Sequence, residues 1–425
     1  MTVSSNVNST LCLVLIVLLP LAPAGLALLN CGLGRSRSAA QSLLGAICLA
    51  AVATVVYTTW GFSIEGFSVG QSRSFYLGGV AWNWVGAGSL FLRGVDGPAL
   101  FAAAFQVFAV SLATLIPWGS GADRWRLGTA CASTVLLAGF VYPVFAHWVW
   151  GGGWLAQLDT MFHLGASFVD CGGAATLQAL GGIVALVVVW VLGPRRGKFS
   201  REGPPGVIPA HHIVYVLLGC GLAVVGWLAL NLLGAVLFAA LSGSALLMTE
   251  VNTLLCASGA LLSALLLTWV RFGKPDVSLS ANAWIAGLVA SSAVAALVPP
   301  GAALFTGVVA GGMSPLAVEL LELHCGIDDP SGGIAVHGIS GFWGLLVVGF
   351  ESRGASAGQM IAQLVGIATL MGLILPVVYV LYWLLNRVIP FRTHPHGELI
   401  GMDLYELGSG AYPDFVTRTD EFSSR

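Results

Sequence analysis

The sequence predicts an all-α polytopic membrane protein of eleven transmembrane helices. It further predicts a five-plus-five inverted repeat, with the N-terminus outside and the C-terminus inside. Three observations carry this. Of the 425 residues, 57% are hydrophobic and only 8% are charged, whereas soluble domains carry roughly 25% charged residues; lipid must therefore solvate most of the surface. Apolar runs long enough to cross a bilayer recur along the whole chain. One Asp-led motif occurs twice, five runs apart.

The same arithmetic excludes whole function classes. Seventeen basic and 19 acidic side chains cannot cover a soluble protein of this length, which excludes a cytosolic enzyme, a nucleic-acid binder and a disordered scaffold. A net charge of −2 points to no polyanionic partner. The eight cysteines (12, 31, 48, 131, 171, 220, 256 and 325) include no CxxC pair and read as small buried residues. The 56 glycines suit helices that must approach closely in lipid.

Spans are expected near 10–32, 40–62, 98–118, 126–150, 168–193, 209–240, 247–270, 278–298, 301–323, 333–352 and 358–389. Each is long enough for a hydrocarbon core that takes about 20 residues to cross. Pro299-Pro300-Gly301 divides what would otherwise read as one run over 278–323, because proline and glycine end helices. Lysine and arginine then set the orientation. With the N-terminus outside, Arg35, Arg37, Arg124, Arg126, Arg195, Arg196, Lys198, Arg201, Arg271, Lys274, Arg387, Arg392, Arg418 and Arg425 fall inside. Only Arg73, Arg93 and Arg353 fall outside.

The first run has an alternative reading as a signal peptide cleaved near Ala22-Pro23-Ala24. No basic residue precedes it, however, and Arg35 and Arg37 follow it, which favours a retained helix. The chain divides into a transmembrane domain, 1–389, and a polar cytoplasmic tail, 390–425. The tail is too short for a core of its own. It either frays or lies against the cytoplasmic face through turns at Gly401-Met402-Asp403 and Gly408-Ser409-Gly410.

The repeated motif runs from Asp170 to Gly182 and, without gaps, from Asp329 to Gly341. Each copy has Asp first, Gly at +3 and +12, and a polar side chain at +8, Gln178 in one and His337 in the other. Five spans apart means opposite orientation, the signature of inverted-repeat transporter folds. At 1.5 Å per residue, position +8 lies about 12 Å below its helix start, near the midplane of a core about 30 Å thick. Gln178 is thus expected to approach His337 at the centre of the membrane. Polar groups there either line a pathway or act as interhelical glue, and the two aspartates are favoured N-caps in either case. His147, His211, His212, His324, His394 and His396 sit near predicted ends or in loops, where interfacial or solvated roles are the default. No HExxH, Walker-type loop, Ser/His/Asp arrangement or metal-ligand cluster occurs, so no enzyme, cofactor or metal is expected.

At several of these residues the chain resembles the ammonium transporter/Rh (Amt/Rh) family. The motifs run in order from Pro23-Ala24-Gly25 through Asn30-Cys31-Gly32, Phe105-Gln106-Val107-Phe108 and Ala122-Asp123-Arg124. They continue with His147-Trp148-Val149-Trp150-Gly151, Asp170-Cys171-Gly172-Gly173, Gly226-Trp227 to Asn231, Asp328-Asp329-Pro330 and Val336-His337-Gly338. Gly401-Met402-Asp403-Leu404 and Gly410-Ala411-Tyr412 extend the match into the tail.

The resemblance implies a homotrimer with one narrow pore per subunit, in the plasma (inner) membrane. It also implies an outer vestibule that recruits ammonium on aromatic faces, with Phe108 and Trp150 at two matching positions and Asp170 beneath them; such faces attract a desolvated cation. The pore lining implied is Phe108, Leu230, Trp227 and Asn231, with His337 as the second of two midplane histidines. The departures are as informative. Gln178 stands where the family has the first histidine, Leu230 where it has a gate aromatic, and Ala235 where the vestibule hydroxyl belongs. An amide cannot exchange a proton near neutral pH as an imidazole can.

Three functions follow from the resemblance. The first is an ammonium/ammonia channel or transporter with an altered pore. The second is a poorly conducting sensor or regulator, working through the tail or a PII-type partner. The third is a channel for another small neutral molecule such as carbon dioxide or methylamine. The inner stretch Leu323 to Asp329 carries no Lys or Arg, which disfavours an anionic partner surface there.

Overall fold

The computed structural model describes residues 8–67, 72–200 and 203–412. Arg201, Arg418 and Arg425, counted above among the inner charges, lie outside the described residues. Eleven long apolar helices are present among the described residues. They are α1 (Ser9–Leu33), α2 (Ser36–Glu65), α3 (Gly97–Ser120), α4 (Leu127–Phe162), α5 (Ala174–Leu192) and α6 (Ile213–Phe238). The second group is α7 (Ser244–Phe272), α8 (Val277–Val294), α9 (Pro300–Leu323), α10 (Ile334–Glu351) and α11 (Ala357–Val388). The protein is an integral membrane protein.

Local chemistry explains the boundaries. Pro299 caps α9 and Pro300 opens it, where proline's missing N–H costs nothing, so α8 and α9 are separate as expected. Asn8 Oδ1 accepts from the Leu11 amide (3.1 Å) and starts α1. The expected fifth span, 168–193, contracts to Ala174–Leu192. Its first residues form instead the irregular turn that positions Asp170.

The helices pack through their small residues. A Cβ on Gly25 would come within 2.5 Å of the Ala223 amide nitrogen, and one on Gly226 within 2.0 Å of the Ala22 nitrogen. Only glycine lets α1 and α6 approach so closely, and close approach is what van der Waals packing requires in lipid. Between α2 and α3 lies a hairpin of β1 (Ser72–Leu77) and β2 (Val80–Gly86) that hydropathy did not anticipate. Gly78 and Gly79 both have positive φ, as a tight two-residue hairpin turn demands. Phe75 stacks on Trp82 and Trp84 across the strands.

One end of the bundle carries a basic face, held by ion pairs. Arg195 bonds both oxygens of Asp328 and reaches Asp123 (3.1 Å). Arg124 donates to the carbonyls of Ala122, Gly193 and Asp328. The tail lies on this face rather than fraying, through a short helix α12 (Pro395–Ile400). Its carboxylates serve as caps: Asp403 accepts from the Ala40 and Gln41 amides at the start of α2, and Glu406 from the Leu127 amide at the start of α4. Arg392 reaches Glu398 (2.9 Å), and Glu398 also accepts from the Arg196 amide (2.6 Å). Tyr412 Oη lies 3.1 Å from His211 Nε2.

Candidate pore

The two copies of the repeated motif build the same device. Gly173 adopts a left-handed φ of 88°, which turns the chain so that the Asp170 carboxylate faces the start of α5. That carboxylate accepts from the amides of Gly173 (2.9 Å), Ala175 (3.0 Å) and Thr176 (2.9 Å), and from Thr176 Oγ1 (2.9 Å). Asp329 likewise accepts from the Ile334 amide (2.8 Å) at the start of α10. Both helices open on a π-turn, over Ala174–Ala179 and Ile334–Ile339. Such turns recur at functional sites, and they carry the two +8 residues.

The two helices start among different groups. Asp170 lies by the Trp150 indole, whose Nε1 donates to its carbonyl (2.6 Å). Asp329 adjoins Asp328 on the basic face. They cross where a Cβ on Gly182 would come within 2.4 Å of the Gly338 amide nitrogen. One turn before Gly182, His337 Nδ1 and Gln178 Oε1 are 2.7 Å apart, both residues buried. An amide oxygen only accepts, so His337 carries its proton on Nδ1 and presents a bare Nε2. Gln178 Nε2 has no partner among the described residues.

Above Asp170 sits a box of aromatic rings. Trp150 stacks face to face on Phe238, with centroids 4.6 Å apart and planes 7° from parallel. Phe105 meets both edge-on, at 6.0 and 5.4 Å, and Phe67 stacks on the far side of Phe238. Phe238 therefore covers one of the two faces of the Trp150 indole.

Several expected positions change here. Phe108 does not stand beside Trp150. It lines an apolar groove of roughly 460 Å³ on the flank of the bundle with Pro20, Pro23 and Ala24 of α1 and Ala46 and Ile47 of α2. The ring at Trp150 is Phe105, because α3 turns Phe105, Ala109, Leu112 and Ile116 inward and places Phe108 on the neighbouring flank. Leu230 is buried in the core, and the aromatic that α6 contributes comes two turns later, from Phe238. Ala235 is buried and brings no hydroxyl; its carbonyl accepts from the Leu241 amide (3.0 Å). Trp227 packs 6.4 Å from the His337 ring and donates to Ser292 Oγ. Asn231 ties α6 to α7 and α8, donating to Thr253 Oγ1 (3.0 Å) and Ser291 Oγ (2.9 Å). Phe238 and Phe105 escaped the sequence reading. Phe105 stood in the quoted motif, and Phe238 lies eleven residues, three helical turns, beyond Trp227.

Comparison with known proteins bears on this architecture directly. The model of the Ammonium Transporter Family matches residues 10–412. The chain is 31% identical to the ammonium transporter Amt2 of Archaeoglobus fulgidus, covering 94% of this chain and 86% of that protein. It is 29% identical to the ammonium transporter of Bacillus subtilis, covering 92% and 94%. Among solved structures, a sensor Amt protein superposes with a TM-score of 0.85 at 24% identity, over 94% of this chain and 98% of that one. Mep2 of Candida albicans superposes at 0.80 and 23% identity, over 98% and 91%. The relatives are transporters and not enzymes, and the agreement extends from the first helix into the tail. This chain belongs to the Ammonium Transporter Family.

Proposed function

We propose that the chain conducts ammonia, delivered as ammonium that gives its proton back to the outer solution, through a pore centred on Gln178 and His337. The observation that carries this is their 2.7 Å contact where α5 and α10 cross. The buried pair offers the pore one acceptor, His337 Nε2, and one donor, the unpartnered Gln178 amide. Rotating the amide exchanges the roles but keeps one of each. Ammonia both donates and accepts, and so can satisfy both groups; ammonium has no lone pair with which to meet the donor. A proton cannot pass through the amide as it can through an imidazole, so the substrate moves here without a relay between positions 178 and 337.

The setting follows the family reading: an inverted repeat with the basic face and tail inside, a homotrimer in the plasma membrane, and a tail whose ordered surface suits a PII-type regulator. The second reading, a sensor that conducts poorly, draws on one observation, the Phe238 ring over Trp150. The experiment is uptake and current recorded together on purified protein in liposomes after an ammonium pulse. Uptake with little accompanying current supports the proposal, and Gln178→His should raise the current per ammonia taken up and change its pH profile. Binding without uptake supports the sensor. A wild-type current equal to uptake, unaltered by Gln178→His, refutes the role given to Gln178.

A further inference from the structure

Two asparagine oxygens without partners border the turns that lead to Gln178 and His337. Asn282, on α8, is 6% exposed, and its Oδ1 bonds nothing among the described residues. Its amide lies against the turn that opens α10, where a Cβ on Gly332 would come within 2.7 Å of Asn282 Nδ2. This face of α8 packs on α10 along its length, since a Cβ on Gly344 would meet Ala293, three turns beyond Asn282, at 3.1 Å. The polar neighbours are engaged with one another. Ser120 Oγ meets the Ile116 carbonyl and Ser331 Oγ, both at 3.4 Å, and Asp329 takes the Ile334 amide. None of these bonds reaches Asn282.

The other copy of the motif has the same arrangement. A Cβ on Gly172 would come within 2.6 Å of Asn231 Oδ1, which is also unpartnered among the described residues. The orientation of that amide is fixed by its neighbours. Thr253 Oγ1 and Ser291 Oγ spend their protons on the Thr249 and Leu288 carbonyls, so they can only accept from Asn231 Nδ2. Gly172 precedes Gln178 by six residues and Gly332 precedes His337 by five. At 1.5 Å per residue, each glycine lies within about 9 Å of its pore residue along the helix axis. A buried amide oxygen left unbonded destabilises a fold, and native structures hold few of them. A leucine would fill the place of Asn282 without that cost.

We infer that Asn282 is a further station on the pathway, where ammonia leaving the pair toward the basic face bonds the Asn282 amide. The inference rests on the proposed conduction of ammonia and extends it beyond Gln178 and His337. The amide oxygen takes an ammonia N–H, or the amide N–H meets its lone pair, so either end of the side chain finds a match. No proton changes hands, and no titratable group is needed. Asn231 also ties three helices together, whereas Asn282 has no such duty and is the residue to test.

The test compares Asn282→Leu and Asn282→Ser with the wild type in ammonium uptake by liposomes over a range of outer concentrations. Thermal unfolding is followed on the same preparations. Asn282→Leu breaks none of the bonds named above, so its midpoint should hold or rise. Its maximal uptake should fall about tenfold, as one buried hydrogen bond to the substrate is lost. The half-saturating concentration should not rise, because a barrier beyond the pair slows exit without weakening recruitment. Asn282→Ser, whose hydroxyl both donates and accepts, should keep at least about half of the uptake. Undiminished uptake in Asn282→Leu, or an equal loss in both variants, overturns the inference. A loss of uptake that comes with a lowered midpoint overturns it too, since Asn282 would then be structural. Should Asn282→Leu not assemble, Asn282→Ala takes its place and is judged on uptake against Asn282→Ser. A wild type that takes up no ammonium overturns the proposed function and this inference with it; the other outcomes overturn the inference alone.

Discussion

Replacing Asp170 by alanine removes four hydrogen bonds from one buried carboxylate: three from the amides of Gly173, Ala175 and Thr176, and one from Thr176 Oγ1. The α5 helix begins there inside the protein, where water cannot readily replace the lost acceptor. A buried donor left unpaired costs about 1–3 kcal/mol, so three orphaned amides cost about 3–9 kcal/mol. Total stabilities run about 5–15 kcal/mol, so the variant should lose most of its margin. Asp170→Asn keeps one oxygen for the cluster at Ala175 and Thr176 and gives up the Gly173 bond, for about 1–3 kcal/mol. Thermal unfolding in detergent followed by tryptophan emission measures this, together with the yield of assembled oligomer by size exclusion. Trp150 is a local reporter, since its indole bonds the Asp170 carbonyl. Asp170→Ala with the wild-type midpoint and yield would refute the capping argument.

Three further outcomes follow from particular contacts. Phe238→Ala uncovers the Trp150 face, and with a cation–π interaction worth about 0.5–2 kcal/mol the half-saturating ammonium concentration should fall several-fold; an unchanged value would show that the covered face is not a recruitment site. His337→Ala removes the only imidazole at the helix crossing and should lower ammonia uptake about tenfold, the loss of roughly one buried hydrogen bond; undiminished uptake would take His337 out of the pathway. Burial by itself would raise the Asp328 carboxyl, but the hydrogen bonds and charge of Arg195, with the charge of Arg124, hold it down to about 2. A carboxylate depressed in the folded state stabilises above its unfolded value near 4 and loses that contribution as pH falls toward 2. Acid melting should therefore steepen between these values in the wild type and flatten in Arg195→Ala. That variant should also lose about 3–5 kcal/mol at neutral pH, because it leaves Asp328 and Asp123 without their shared cation; equal acid profiles would refute the assignment.

How much of this was legible beforehand depends on the range of the physics involved. The spans were legible because the bilayer acts on each helix separately, so length and apolarity suffice. The proline pair before α9 marked its boundary for the same local reason. The crossing of Gln178 with His337 was legible because a +8 offset in two matching segments converts into depth by simple helix geometry. The hairpin after α2 was not, since its strands are short and its pairing depends on Phe75, Trp82 and Trp84 meeting across a turn. Phe108 was misplaced because residues three apart on a helix differ by only about 60° in direction, so pattern alone could not say which ring faced Trp150. Glu65 had a signal that went unused: a lone acid at the end of a thirty-residue apolar helix, in a chain with few charges to spare.

The sequence by itself determined that this is a membrane protein of eleven helices, and its ordered motifs placed it in the family. Scarcity of charge and regularity of helix rise are properties of the chain alone, and they needed no knowledge of neighbours. Only the tertiary structure decided which groups face one another. It gave His337 a glutamine oxygen to donate to, laid Phe238 over Trp150, turned Phe108 to the flank, and bonded the buried Glu65 carboxylate to Tyr57 and Gln106. Such pairings are fixed by close packing between segments far apart in the chain, where a turn of about 60° moves a ring from the Trp150 cluster to the flanking groove, and local sequence holds no record of that rotation.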